Sequence, residues 1–397
     1  MIRFIMADLR RMSVGVMVVM LMVSAATALG MAVRMEERAL RLGSARAADS
    51  FDMVIGAPGS ETQLVLSTIF LQPSPLTLLP GEMLRRLSQD PRVEYAAPVG
   101  FGDSYYGRQI IGTTAEFVAK SGFELAEGTN FATPQDAVIG ARIPMALGDE
   151  IKPQHGLTAL PAEEHHDASY RVVGRLAPSH TPWDRAIMVP IEGVWHIHGL
   201  WNHDDHEEAA HFGPPWQADI PGVPAILIKP KTIANAYQLR GDYRNETSVA
   251  VFPAEVLTRL YATLGDARLA LTAIAIGTQV LAMAAVILVT MAHLAQRKRQ
   301  IGALRAFGAP RLAVFGIVGS ELLLVIGSGV ALGVGLGYLA ARAMAMIFAR
   351  QSGISLPVSV NGADIGFAGL LLTVAALIAV IPAIYAYRQS PAQALRG

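Results

Sequence analysis

Four apolar runs long enough to cross a bilayer, about 20 residues each, lie at the two ends of the chain. The first is Met12 to Val33, bounded by Arg11 and Arg34. The second lies between Arg268 and Arg297, the third between Arg311 and Arg342 with Glu321 near its start, and the fourth between Asp364 and Arg388. A signal-peptide apolar region covers roughly 7 to 15 residues; the first run is longer, so it reads as a retained span although Arg3, Arg10 and Arg11 precede it. The long polar stretch between the first and second runs has another rhythm. Short β-branched runs such as Phe51 to Ile55, Arg171 to Val173 and Ala186 to Val189 read as strands punctuated by Gly and Pro. Pro80 to Leu87 and Pro253 to Leu260 open with Pro and an early acid, as helix starts do. Ala225 to Ile228 followed by Thr232 to Leu239 suggests a βα unit.

The pattern predicts an α-helical membrane domain of four transmembrane helices, with a large extracytoplasmic mixed α/β domain inserted between helices 1 and 2. Its parts are residues 1–34 (cytoplasmic N-terminus and first span), 35–267 (the α/β domain) and 268–397 (spans two to four). Arg297, Lys298, Arg299, Arg305 and Arg311 crowd the loop between spans two and three with no acid among them, which makes that loop cytoplasmic. Both termini then face the cytoplasm, and the α/β domain faces outward, into the periplasm of a Gram-negative cell. Gly329, Gly333 and Gly337 repeat at four-residue spacing in span three, a face on which another helix can approach closely. Glu321 is an intramembrane acid, and Pro382 predicts a kink in the last span.

Composition agrees with a membrane protein: 52% of the 397 residues are hydrophobic and 16% charged, and the mean hydropathy is +0.39. Lys plus Arg equal Asp plus Glu at 32 each, so no global basic excess points to nucleic acid. There is no cysteine, which excludes disulfides, thiolate metal sites and cysteine nucleophiles. Any metal chemistry must use His, Asp or Glu.

Nine of the ten histidines fall between His155 and His211, where random placement would put one or two. The densest stretch contains His196, His198, His203, Asp204, His206, Glu207 and His211. If its first part is a strand, His196 and His198 share a face; if its second part is helical, His203, Glu207 and His211 share one at i, i+4 and i+8. Glu163, Glu164, His165, His166 and Asp167 form a second group, with His155 and His180 nearby in sequence. Imidazole and carboxylate together suit zinc, nickel, cobalt or copper(II). The same residues also suit a solvated polar loop, and a tight site and a loose chelating loop look alike at this level. The His-x-His run is similar to the start of the metallo-β-lactamase pattern, but Leu200 and Trp201 stand where that pattern needs Asp and His. No HExxH or GxSxG occurs, so an independent hydrolase is not expected.

The segment Gln296-Arg297-Lys298-Arg299-Gln300-Ile301-Gly302-Ala303-Leu304-Arg305-Ala306-Phe307-Gly308-Ala309 resembles the signature of FtsX-like and MacB-like ABC permeases. Ser390-Pro391-Ala392-Gln393-Ala394-Leu395-Arg396 is similar to the family's C-terminal ending, and the order of one span, an outer domain and three spans matches too. The resemblance implies that residues 296–311 meet a separate ABC ATPase, with Arg297, Arg299, Ile301, Gly302, Leu304, Arg305 and Gly308 as coupling residues. Ile301 and Leu304, three apart, would share a helix face. A basic patch that only sets topology and binds anionic membrane lipid is the plainer alternative. No GxxxxGK[ST] loop occurs, so ATP acts only through the partner. Phe51 to Ser60 with Gln63 to Leu66, and Tyr170 to Leu176 with Thr181 to Arg185, resemble a subgroup of MacB-like permeases linked to zinc uptake.

The expectation is therefore the permease subunit of an ABC transporter in the inner membrane. It would work as a homodimer with two ATPase subunits, bind or transport Zn2+ or a related ion, and receive it from a periplasmic metal-carrier protein or sense it. The spans carry no ladder of ionic ligands, and His293 sits alone at the cytoplasmic end of span two, so a metal-conducting pore is not expected. Two alternatives stand beside this: MacB-like export of a lipophilic or peptide substrate, and a transport-inactive scaffold controlling a periplasmic hydrolase.

Overall fold

Hydroxyl side chains set many of the helix starts. Ser60 Oγ accepts the N–H of Gln63 at 3.2 Å, Thr114 Oγ1 that of Phe117 at 3.2 Å and Thr232 Oγ1 that of Asn235 at 3.1 Å, each satisfying a donor that the first helical turn leaves open. The computed structural model describes residues 13–155, 169–200, 213–216, 220–263, 265–296, 302, 303 and 306–388. In chain order these form α1 (Ser13–Asp49), β1 (Met53–Gly56), α2 (Glu61–Thr68), α3 (Gly81–Gln89), β2 (Val93–Val99), β3 (Asp103–Tyr105), β4 (Arg108–Thr113) and α4 (Ala115–Lys120). Then come β5 (Leu125–Gly128), β6 (Asp136–Ile139), β7 (Glu150–Ile151), β8 (Gln154–His155), β9 (Tyr170–Leu176), a 3-10 turn (Pro182–Arg185), β10 (Ile187–Pro190) and α5 (Ile191–Ile197). The remainder is β11 (Ala225–Pro230), α6 (Ile233–Asp242), β12 (Val249–Val251), α7 (Pro253–Thr263), α8 (Gly265–Gln296), α9 (Arg311–Ser352) and α10 (Gly362–Arg388).

The chain divides into two compact units: residues 1–40, 264–347 and 357–397 in one, residues 41–263 and 348–356 in the other. In the first, four helices among the described residues are long and apolar enough to cross a membrane. They outrun the apolar runs themselves. α1 continues past Arg34 to Asp49 and α9 past Arg342 to Ser352, because the Ala, Leu, Arg and Glu that follow are good helix formers in water as well. α10 runs unbroken through Pro382. Its start is a reciprocal cap: Asn361 Oδ1 accepts the N–H of Asp364 at 3.2 Å while Asp364 Oδ2 accepts that of Asn361 at 2.9 Å. The same carboxylate, fully buried, receives a forked pair from Arg38 at 3.2 and 2.8 Å.

The second unit is mixed α/β. One sheet is antiparallel, in the order β12-β1-β11-β2. The other runs β5-β9-β6-β10-β4-β3-β8, with β7 added on β9; β10 with β4 and β6 with β9 are its parallel pairs. Fully buried Met53, Ile55, Ile187 and Val189 represent its apolar interior. Phe51, Phe117, Phe123 and Trp183 form a separate aromatic knot, with centroids 5.2 to 6.4 Å apart in offset and edge contacts. Arg185 Nη1 donates to the carbonyls of Arg350 at 2.7 Å and Gln351 at 2.9 Å, which ties residues 348–356 to this unit.

Candidate functional site

The short strand β3 carries Asp103 directly across from His155 of β8. Asp103 is buried while His155 is half-exposed, with 53% of its side-chain surface open. His155 Nδ1 lies 3.2 Å from Asp103 Oδ1, and His198 Nε2 lies 3.1 Å from Asp103 Oδ2. His198 follows α5 as its C-cap, its N–H bonded to the carbonyl of Val194 at 3.2 Å. Fully packed Trp195 on the preceding turn holds that end of the helix. The two rings stand 5.2 Å apart. The hydrogen bond to Asp103 raises the His198 pKa above its ordinary value, and partial burial opposes it.

Two imidazole nitrogens and one carboxylate oxygen thus lie within 4.8 Å of one another. Tetrahedral donors around a zinc ion, with arms of about 2.1 Å, stand roughly 3.4 Å apart. The three need to close by about an ångström, a shift within reach of rotamer adjustment.

This grouping differs from the one expected. Residues 191–197 are helical, not extended, because Pro190 leads the run and Ile191, Val194 and Trp195 bury one helix face. Two positions along a helix is a turn of about 200°, so His196 and His198 do not share a face: His196 is exposed and His198 turns toward Asp103. His180 lies elsewhere, at φ +60, its N–H bonded to Asp184 Oδ2 at 3.0 Å. His165, His166, His203, Asp204, His206, Glu207 and His211 lie outside the described residues. Nothing local in the sequence marks Asp103. It stands 95 positions from His198, and no local spacing links them.

Of the coupling segment, Arg297, Arg299, Ile301, Leu304 and Arg305 also lie outside the described residues. Gly302 is buried, and the N–H of Phe307 bonds to the carbonyl of Ala303 at 3.0 Å, closing a helical turn. Gly308 ends it at φ +95, the left-handed stop that glycine adopts without strain. Phe307 is 92% exposed, a bare phenyl next to the left-handed Gly308.

Residues 12–242, more than half of the chain, match the MacB-like periplasmic core domain, and residues 272–392 match the FtsX-like permease C-terminal family. The chain belongs to the MacB/FtsX-like ABC permeases. Members of this family are multi-pass membrane subunits of transporters, not catalytic enzymes, and they work with an ABC ATPase partner. Neither match separates a zinc-linked subgroup. No curated protein matches the permease in sequence. Among solved structures it is similar to the periplasmic region of MacB from Actinobacillus actinomycetemcomitans, at 10% identity over 55% of this chain and 95% of that one, with a TM-score of 0.34. It is also similar to the extracellular domain of the noncanonic ABC-type transporter YknZ from Gram-positive bacteria, at 9% identity over 50% of this chain and 98% of that one, with a TM-score of 0.31.

Within the permease's helical unit, α1 and α9 meet at the three spaced glycines. A Cβ on Gly329 would lie 2.9 Å from Val23 Cβ, on Gly333 2.5 Å from Thr27 Cβ, and on Gly337 2.7 Å from Met31 Cβ. Gly15 of α1 likewise makes room for the His293 ring, 2.5 Å from where a Cβ would stand. His293, Thr290 and Glu321 face one pocket with Val16, Val19 and Val325.

Proposed function

We propose that this permease couples ATP hydrolysis on a separate ATPase to rearrangement of its α/β domain, and that this domain handles zinc or a related divalent ion. The two family matches carry the first part, because together they span most of the chain and both belong to transporter subunits. The sequence lacks a phosphate-binding loop, so the energy comes from outside the chain. In this reading two copies pair in the inner membrane with both termini in the cytoplasm, as the basic loop between α8 and α9 favours. Closure of the ATPase dimer acts on residues 296–311 and is passed along the spans to the outer domain.

The metal part is supported by the crowding of histidines between His155 and His211 and by the convergence of Asp103, His155 and His198. The ion is received from a carrier protein or sensed on the outer side. The test of coupling is the double variant Ile301→Asp with Leu304→Asp. With the ATPase co-expressed and the complex in nanodiscs, the variant should lose most complex formation and permease-dependent ATPase activity. Unchanged values for both would sink the coupling role.

A further inference from the structure

We infer that Asp103, His155 and His198 form an exchangeable binding site for a transition-metal dication of the zinc type. The inference deepens the metal part of the function proposed above and rests on it; the identity of the three ligands is new. Three features carry it. The donors come from three separate places in the chain and converge because β3 pairs with β8 in the register Asp103↔His155 while α5 delivers His198 from the other side. The donor set, two imidazole nitrogens and one carboxylate oxygen, suits zinc, cobalt(II), nickel or copper(II) and is a poor match for calcium or magnesium, which take oxygen. Among the described residues three ligands converge, and a tetrahedral ion held by three has its fourth position for an exchanging ligand, unlike structural sites closed by four.

Access fits exchange. Asp103 closes the buried end of the set, and half-exposed His155 opens the other. Asp103 also borders a cleft of about 320 Å³ lined by Gln72, Ser74, Phe101 and Gln109. Gly102, at φ +155, puts no side chain between the His198 ring and this chain turn. A purely structural ion pair would need only one imidazole on the carboxylate and no open face.

The test uses the full-length permease in detergent micelles, purified without a histidine tag. Zinc chloride is titrated by calorimetry, and cobalt(II) is added separately to read its visible d–d absorption. Three proteins are compared with wild type: Asp103→Asn, His155→Ala, and a variant with His165, His166, His203, His206 and His211 all changed to Ala. His155 is exposed enough that its removal leaves the fold intact, which keeps the test valid should Asp103→Asn fold poorly. One tight zinc per chain is expected in wild type and in the five-histidine variant, with affinity lowered by roughly 100-fold in Asp103→Asn and His155→Ala. The tetrahedral cobalt spectrum should vanish in the same two proteins. Tight binding that survives both single substitutions, or that disappears only in the five-histidine variant, would overturn the site while leaving metal handling by other residues. Absence of zinc binding in wild type would overturn the site and the metal reading together. ATPase activity of the same variants co-expressed with the ATPase and reconstituted in nanodiscs, measured without metal, reports on coupling independently.

Discussion

Glu192 is a buried acid whose environment adds to the pH response of the α/β domain. Burial is the larger influence and raises its pKa, against the hydrogen bonds it accepts from Trp216 Nε1 at 2.9 Å and from the N–H of Gly213 at 3.1 Å. Folding therefore favours the protonated form. Its stabilisation is fully present below the unfolded carboxylate value of about 4.3 and is lost as pH rises through the higher native value. Glu192→Gln keeps an acceptor for Trp216 and removes the charge. Thermal unfolding of the variant should be flatter with pH above about 4.3 than that of wild type; parallel profiles would show that Glu192 is not the group responsible. At this scale the sequence was only half readable. Histidine crowding picks out the stretch that holds His155 and His198, but Asp103, the carboxylate that both contact, looks like any acid in a glycine-rich turn.

Among the membrane helices, the contact of α1 with α9 leaves no room for an added methyl group at Gly329, Gly333 or Gly337. Gly333→Leu would drive its side chain into Thr27 and the carbonyl of Ser24, which a Cβ would already meet at 2.7 Å. Overpacking of this kind costs about 1 to 3 kcal/mol, and the helices must part to relieve it. Gly335→Leu is the control, because nothing lies within 4 Å of a Cβ there. The Gly333 variant should melt several degrees lower in detergent and the Gly335 variant within a degree or two of wild type; equal melting would remove the seam from the account. The glycine spacing was legible because a four-residue period maps onto one helix face regardless of what the face meets. The opposite holds for α5, a seven-residue run whose length suits a strand and a helix equally. Packing of Trp195 and Val194 into the domain core decided it.

For the molecule as a whole, the coupling proposed above predicts that the segment between α8 and α9 is the surface an ATPase meets. Phe307 stands out on it, and an aromatic exposed to 92% serves a partner better than it serves the isolated chain. Phe307→Ala should weaken association with the ATPase by roughly tenfold or more, the scale of a buried aromatic anchor, with no change in the melting temperature of the permease alone. Pull-down with the co-expressed ATPase measures the first and detergent thermal unfolding the second; intact association would remove Phe307 from the interface. The four apolar helices are legible in the order of residues, and the expectation of an external ATPase rests on the same level of reading. Hydropathy, charge asymmetry and a missing phosphate loop are local properties, readable without knowing what packs on what. The convergence of Asp103, His155 and His198, the fit of α1 into the glycines of α9 and the pairing of Arg38 with the buried carboxylate of Asp364 belong to the folded chain alone. Each depends on strand register or helix packing between residues far apart in sequence, and that information appears only when the backbone brings them together.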